Sequence, residues 1–466
     1  MINTQNFGGE LMKEKRKDRP RNPVSIFIDG DIFTKLSYVF WGLSNIVRGQ
    51  VAKGALFLAI EVGYLYMMIT SGFRNFANMF TLGSLEQGMI YDETQGIYVV
   101  QQGDNSMLML LYGVLTLVIT MMAVAVWIVS IYSGEDARQR KLAGKKVYTL
   151  KDDIVCLFDT HIVRLFLSVP LLGIIVFTVT PLIYMILMAF TNYDAEHQPP
   201  GHLFDWVGLE NFRAILDASG KLGATFLPIL GWTLIWAVIA CFSCYFGGMF
   251  LAILINSKGI KFKKFWRTIF IFAMAIPSFV SLLVINTMLG KNGIMNVLLQ
   301  NWGFISGALP FLTNAAWARG TVIVVNLWLG IPITMLMVSG ILMNIPTDLY
   351  ESANLDGANP AQQFVYITFP YMWQVTTPYL ITNFISNINN FGVIYFLTEG
   401  APKTLDYYKG AGKTDLLVTW LYKLTSESND FNLAATIGIL IFVLSAVFSL
   451  VTYRLAGISQ NEEALQ

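Results

Sequence analysis

Apolar runs of about twenty residues recur along this chain between shorter polar stretches, a spacing that predicts membrane-spanning helices. Eight runs are legible, at 53–71, 107–132, 164–190, 228–256, 268–289, 317–342, 372–396 and 432–453. Pro170, Pro181, Pro277, Pro332 and Pro378 fall inside them. Membrane helices tolerate this because their neighbours re-satisfy the freed backbone groups. The first two runs read as an addition, set apart by a long charged connection at 133–163 from a compact unit of six. The expected division is therefore a basic segment at 1–52, two extra spans with their connection at 53–163, a core at 164–455 and a tail at 456–466. The fold class expected is an all-α integral membrane protein without an evident internal repeat.

Lysine and arginine are distributed unevenly between the loops. One set of segments holds KEKRKDRPR at 13–21, RQRKLAGKK at 138–146 and KGIKFKKFWR at 258–267. The opposite loops, 72–106, 191–227, 290–316 and 397–431, carry scattered basic residues and several acids. Because basic loops stay on the cytoplasmic side, both termini are expected inside the cell. Residues 350–370 fall on that same side yet contain no Lys or Arg at all.

This polar island, YESANLDGANPAQQFVYITFP, has its own punctuation. Thr347 is placed to cap a helix beginning at Asp348, and Gly357 to stop it. Asn359 and Pro360 then open a second helix, with Gln362 as the capping-box partner and Pro370 as its end. So short a first helix is marginal alone and needs a surface to lie on, supplied by its own spans or by a second protein.

Composition agrees with a membrane protein: 55% of residues are hydrophobic and 13% charged, against about 25% charged in soluble domains, and mean hydropathy is +0.56. A net charge of +1 says nothing of nucleic acid, no long basic stripe appears, and no nucleic-acid partner is expected. Cys156, Cys241 and Cys244 make no disulfide framework, and the last two read as packing residues in an apolar run. His161, His197 and His202 are too scattered for a metal site, and no cofactor motif is present. The first 35 residues lack the apolar core of a cleaved signal peptide. GAGKTD at 410–415 invites a P-loop reading, but the glycine required five residues before Gly412 is Tyr407. ATP hydrolysis is therefore not expected of this chain.

Asn383, Asn387 and Asn390 recur at i, i+4 and i+7 in the seventh run, with Ser386 beside them and Asn389 on another side. A buried amide facing lipid is costly, so this face should meet another helix or a wet cavity. Spacing alone leaves open interhelical glue or a site for sugar hydroxyls, which amides match as both donors and acceptors. Glu61 is the one clear acid within a span and reads as a local structural contact. An ion-coupled sugar transporter or a membrane enzyme would need ion-path acids or a catalytic constellation, and neither is legible.

Glu351-Ser352-Ala353, Gly357 three residues later, and Ile367-Thr368-Phe369-Pro370 after nine more resemble the motif E-A-A-x3-G-x9-I-x-L-P of ABC importer permeases. Only Ser352 and Phe369 depart from it. The segments NLWLGIP (326–332), IPTDLYESANLDGA (345–358), NINNFGVIYFLTEGAP (387–402) and TDLLVTWLYKL (414–424) are similar to the larger membrane subunit of maltose/maltodextrin importers (the MalF type). The resemblance implies a permease subunit that imports oligosaccharides by alternating access. It also implies a second permease, two cytoplasmic ATPases and an extracellular solute-binding protein as partners. By the same resemblance, Glu351, Ser352, Ala353, Gly357, Ile367 and Pro370 couple to an ATPase, and Asn326, Leu329, Gly330, Ile333, Asn383, Ser386, Asn387 and Asn390 contact the sugar. Ile333 and Ser386 stand where maltose-binding relatives carry aromatics. Residues 191–227 form only a loop where those relatives insert a folded domain.

Overall fold

The computed structural model describes residues 22–93, 96–159, 162–257 and 259–455; the expectations for 1–21 and for 456–466 lie outside them. Six helices among these residues are long and apolar enough to cross a membrane. A pair bent by 43°, Ser278–Leu289 with Ile294–Asn301, makes a seventh if counted as one span. The chain divides into two compact units, Met1–Leu187 with His197–Asp205, and Met188–Glu196 with Trp206–Gln466.

In the first unit, short helices α1 (Pro23–Asp29), α2 (Ile32–Leu36) and α3 (Leu43–Val47) precede α4 (Val51–Met67). A π-turn at Met68–Gly72 carries α4 on into α5 (Phe73–Thr81). The strands β1 (Gly88–Asp92) and β2 (Ile97–Gln101) pair antiparallel with Gly88 opposite Gln101, inside a stretch expected to be plain loop. Next come α6 (Ser106–Leu142), α7 (Leu150–Phe158), α8 (Ile162–Ile174) and α9 (Thr180–Met188). Glu61 accepts the Trp41 N–H at 2.8 Å, the local contact expected of it.

The second unit holds α10 (Glu210–Leu216), α11 (Lys221–Asn256), α12 (Lys263–Phe272), α13 (Ser278–Leu289), α14 (Ile294–Asn301) and α15 (Ala315–Leu342). The island supplies α16 (Thr347–Leu355) and α17 (Pro360–Gln363), which leads through a π-turn at Phe364–Thr368 into α18 (Phe369–Ile388). Then follow α19 (Phe391–Thr398), α20 (Leu417–Ser426) and α21 (Phe431–Leu455). Two of the eight runs are thus interrupted. The run 268–289 breaks before Pro277, and 372–396 breaks at Asn389 and Asn390.

Pro370 does not end the island's second helix as expected. A proline lacks the N–H for the carbonyl four residues back, and its ring presses on that carbonyl. The backbone widens into a π-turn immediately before Pro370, and does the same at Ile175–Val179 before Pro181. In both places the helix runs on.

The core of the second unit forms where α11 crosses α15 and α18. Ala237, Cys241, Tyr245, Met249 and Ala252 line the inner side of α11 against Met335, Val338, Met372 and Leu380. Small residues set how close α11 and α15 come. A Cβ on Gly248 would lie 2.6 Å from Thr334 Cβ, and one on Gly330 would lie 2.5 Å from Cys244 Sγ. Cys241 and Cys244 are buried and unbridged, as packing residues. The phenol of Tyr245 reaches Thr376 Oγ1 on α18 at 2.7 Å.

Candidate functional site

The close crossing at Gly330 leaves a cavity of about 290 Å³ beside it, walled by α11, α15 and α18. Asn326, Gly330, Ile333, Asn383, Ser386 and Asn387 all line it, together with Cys244, Tyr379 and Thr382. Six of the eight residues expected at a sugar site are therefore brought together. Leu329 is not among the lining residues and packs instead against a neighbouring apolar cluster that includes Trp232 and Val325. Asn390 lies beyond the end of α18, so it does not share a continuous helical face with Asn383 and Asn387. It caps α19 by accepting the Val393 N–H at 3.2 Å.

The amides nevertheless form one ladder. Asn383 Nδ2 donates to the Tyr379 hydroxyl at 2.8 Å. Asn387 Nδ2 donates to Asn383 Oδ1 at 2.7 Å and to the Asn383 carbonyl at 2.9 Å. Asn390 Nδ2 reaches Asn387 Oδ1 at 3.5 Å. The ladder crosses the break between α18 and α19, and each amide holds the next in orientation. Asn387 is buried and its NH2 is spent on Asn383. Asn383 is half-buried and Ser386 exposed, so these two are more open to the cavity. On the facing wall, Asn326 Nδ2 donates to Cys244 Sγ at 3.4 Å. Asn389 is exposed and borders a separate cleft with Ser445 and Ser449.

The island is an exposed helical elbow. Its first helix begins at Thr347, with Pro346 before it and no side-chain cap, one residue earlier than expected. It closes in a Schellman turn: Gly357 N–H donates to the Asn354 carbonyl at 3.1 Å and Ala358 N–H to the Ala353 carbonyl at 2.9 Å. Gly357 has φ +78°, and a Cβ there would meet nothing within 4 Å. Glycine is therefore needed for its conformation rather than for space. The capping box is present in both directions, Asn359 N–H to Gln362 Oε1 at 2.8 Å and Gln362 N–H to Asn359 Oδ1 at 2.9 Å. Tyr350 and Thr368, 2.9 Å apart, tie the two arms together.

Glu351, Ser352, Gly357 and Pro370 are exposed, while Ala353 and Ile367 are half-buried. Sequence reasoning missed Leu355, which is 89% exposed at the elbow's tip. An isolated leucine in the polar string NLDGAN was its signal.

A buried ion pair was also missed. Lys423 Nζ lies 2.7 Å from Asp415 Oδ2 and donates to the Glu399 carbonyl at 2.7 Å. Asp415 further accepts from Gly412 N–H at 2.7 Å and Thr419 Oγ1 at 2.8 Å. Burial pushes the Asp415 carboxyl above its usual range, in spite of the Lys423 ammonium. The Gly-Lys-Thr stretch is spent on this packing: Thr414 is fully buried, and Lys413 sits 3.8 Å from the centre of the Tyr407 ring.

A membrane bundle around an amide-lined cavity, with an exposed helical elbow, defines a transport component. Residues 245–461 match the family described as binding-protein-dependent transport system inner membrane component. The chain belongs to this family of ABC importer membrane subunits. It is similar to the maltodextrin transport system permease protein MdxF of Bacillus subtilis, 33% identical over 91% of this chain and 95% of that one. The galactooligosaccharides transport system permease protein GanP of the same organism is 33% identical over 89% of this chain and 94% of its own. The maltose/maltodextrin permease MalF of Escherichia coli is 35% identical over 58% of this chain and 53% of its own length. Among solved structures, a bacterial ABC transporter involved in import of the acidic polysaccharide alginate aligns with TM-score 0.51 over 64% of this chain and 96% of that one, at 22% identity. A second, of the alginate transporter in complex with an alginate pentasaccharide-bound periplasmic protein, aligns with TM-score 0.53 over 66% and 96%, at 21% identity.

Proposed function

We propose that this subunit passes oligosaccharides of the maltodextrin class across the cytoplasmic membrane by alternating access. A second permease completes the pathway, two cytoplasmic ATPases drive it, and an extracellular solute-binding protein delivers the sugar. The observation that carries this reading is the cavity in which Asn326, Asn383, Ser386 and Asn387 converge. Amides present donors and acceptors to paired hydroxyls without charge, which suits a neutral sugar, and the names of relatives such as MdxF and GanP support the substrate class. Leu329 and Asn390 belong to this reading as supports of the wall, Asn390 through the ladder.

ATP-driven closure of the ATPases would move the elbow formed by Glu351, Ser352, Ala353, Gly357, Ile367 and Pro370. Because α17 continues without interruption into α18, movement of the elbow is delivered directly to the helix that carries Asn383 and Asn387. Such a switch requires contacts that differ between its two states. The lysine and arginine clusters at 13–21, 138–146 and 258–267 support placing both termini and the elbow in the cytoplasm. The core at 164–455 then does the transport, preceded by two added spans.

The test is purification of the tagged chain from its native membrane, followed by reconstitution. Co-isolation of an ATPase and a second permease is expected, with maltodextrin uptake dependent on ATP and the binding protein. Uptake that ignores ATP but collapses with an ionophore would overturn the reading. Reporter fusions near residue 260 should read cytoplasmic and those near 410 extracellular.

A further inference from the structure

The amide ladder has a direction. Asn390 donates to Asn387 at 3.5 Å, Asn387 to Asn383 at 2.7 Å, and Asn383 to the Tyr379 hydroxyl oxygen at 2.8 Å. Every step runs toward the elbow end of α18, so Asn387 and Asn383 each accept from one neighbour and donate to the next. Tyr379 is the last member, and its oxygen is the acceptor of the final bond. Its O–H proton is left to donate, and among the described residues no acceptor lies within hydrogen-bond reach of it.

Tyr379 lines the same cavity as Asn383 and Asn387, one turn or about 6 Å nearer the elbow than Asn383. Its ring is half-buried and packs against the core of the second unit, which fixes where the hydroxyl stands. A phenol so placed usually finds a hydrogen-bond partner, and a hydroxyl that already accepts a bond donates the more strongly. Thr382 on the same wall has no such donor to offer. Its hydroxyl is turned to the Tyr379 carbonyl at 2.9 Å and the Pro378 carbonyl at 3.2 Å. The partner of the Tyr379 proton has to come from what enters the cavity.

We infer that Tyr379 is a further sugar contact, the terminal donor at the elbow end of the ladder, and that it selects oligosaccharides carrying a hydroxyl within its reach. This rests on the sugar path proposed above and adds a residue outside the eight expected there. A hydroxyl is the acceptor it suits. A glycosidic oxygen shares its lone pairs with the acetal carbon and accepts weakly, whereas a sugar hydroxyl both accepts and donates.

The experiment uses the full chain reconstituted with its partners, and measures uptake of maltotriose and of its singly deoxygenated analogues. Two replacements separate donating from accepting. Tyr379→Phe removes both functions, whereas 4-methoxyphenylalanine in place of Tyr379 keeps the oxygen that Asn383 bonds and removes only the proton. Both should lower maltotriose uptake about 2- to 13-fold, the worth of one hydrogen bond, with assembly unchanged. One deoxygenated analogue should cost the unsubstituted subunit that same factor and cost neither variant anything further. The binding protein's own preference divides out of this comparison. Losses that couple to no analogue would overturn the proposal by making the phenol a support of Asn383, and so would a loss in Tyr379→Phe that the methoxy variant does not share. Failure of both variants to assemble would overturn it by making Tyr379 a packing residue. Full uptake in both, while Asn383→Leu loses uptake, would overturn this contact and leave the cavity in the sugar path. Full uptake in Asn383→Leu as well would overturn the path itself.

Discussion

Replacing Asn383 by leucine tests whether the cavity handles sugar. Leucine has similar volume and suits a helix better. The loss inside the protein is small, because Asn387 keeps its bond to the Asn383 backbone carbonyl at 2.9 Å and the Tyr379 hydroxyl can turn to water in the cavity. The cavity itself loses one donor and one acceptor. At about 0.5–1.5 kcal/mol for each hydrogen bond to a sugar hydroxyl, the cost is about 1–3 kcal/mol, or about 5- to 150-fold. The assay is sugar uptake per ATP hydrolysed by the reconstituted complex at a fixed concentration of loaded binding protein. Uptake should fall by that factor while assembly and stimulated ATPase activity persist. Asn387→Leu should also destabilise the bundle, since it strips two donated bonds and one acceptor from the ladder. Asn389→Leu, on the separate exposed cleft, should behave as wild type. Unchanged uptake in Asn383→Leu would remove the cavity from the sugar path. Parallel loss of uptake, ATPase activity and assembly would make the ladder interhelical glue.

Substitutions at Gly357 should impair coupling in the order Asn, Ala, Val, because its open surroundings leave only the left-handed backbone to resist them, at about 1–2 kcal/mol for ordinary residues. ATPase co-purification across that series is the readout, and equal effects would deny the turn its role. Leu355→Asp should weaken ATPase binding without lowering the thermal stability of the isolated chain, since the side chain is 89% exposed. Lys423→Met leaves the Asp415 carboxylate buried without its cation, at about 3–5 kcal/mol. The double change with Asp415→Leu should recover most of the thermal stability. The Thr149 N–H and the Lys146 ammonium hold the Asp152 carboxyl down to about 2 from its usual 3.8. A lowered carboxylate stabilises the fold above the unfolded value and loses that effect as pH falls. Amide protection over 150–158, corrected for intrinsic exchange, should therefore fall between about pH 3.8 and about pH 2, a step that Asp152→Asn abolishes.

What the sequence determined by itself was whatever depends on neighbours along the chain. Periodic apolarity marked the membrane helices, and the Asn359, Pro360 and Gln362 capping box and the Gly357 turn formed as read, since caps and turns are closed by residues within five positions. Spacing also placed Asn383 and Asn387 on one face. Tertiary structure decided the rest. Whether Pro181 and Pro370 end a helix or widen it depends on what holds the helix on both sides, and here both widen. Asn390 left the stripe because α18 ends at Ile388, where its amide serves better as a cap than as a wall. The ion pair of Asp415 with Lys423 spans eight residues and forms where packing buries both side chains, with Gly412, Thr419 and the Glu399 carbonyl completing their hydrogen bonds. The cavity exists because Gly330 lets α15 approach Cys244 on α11, and a contact between residues 86 positions apart has no signature in the order of residues along the chain.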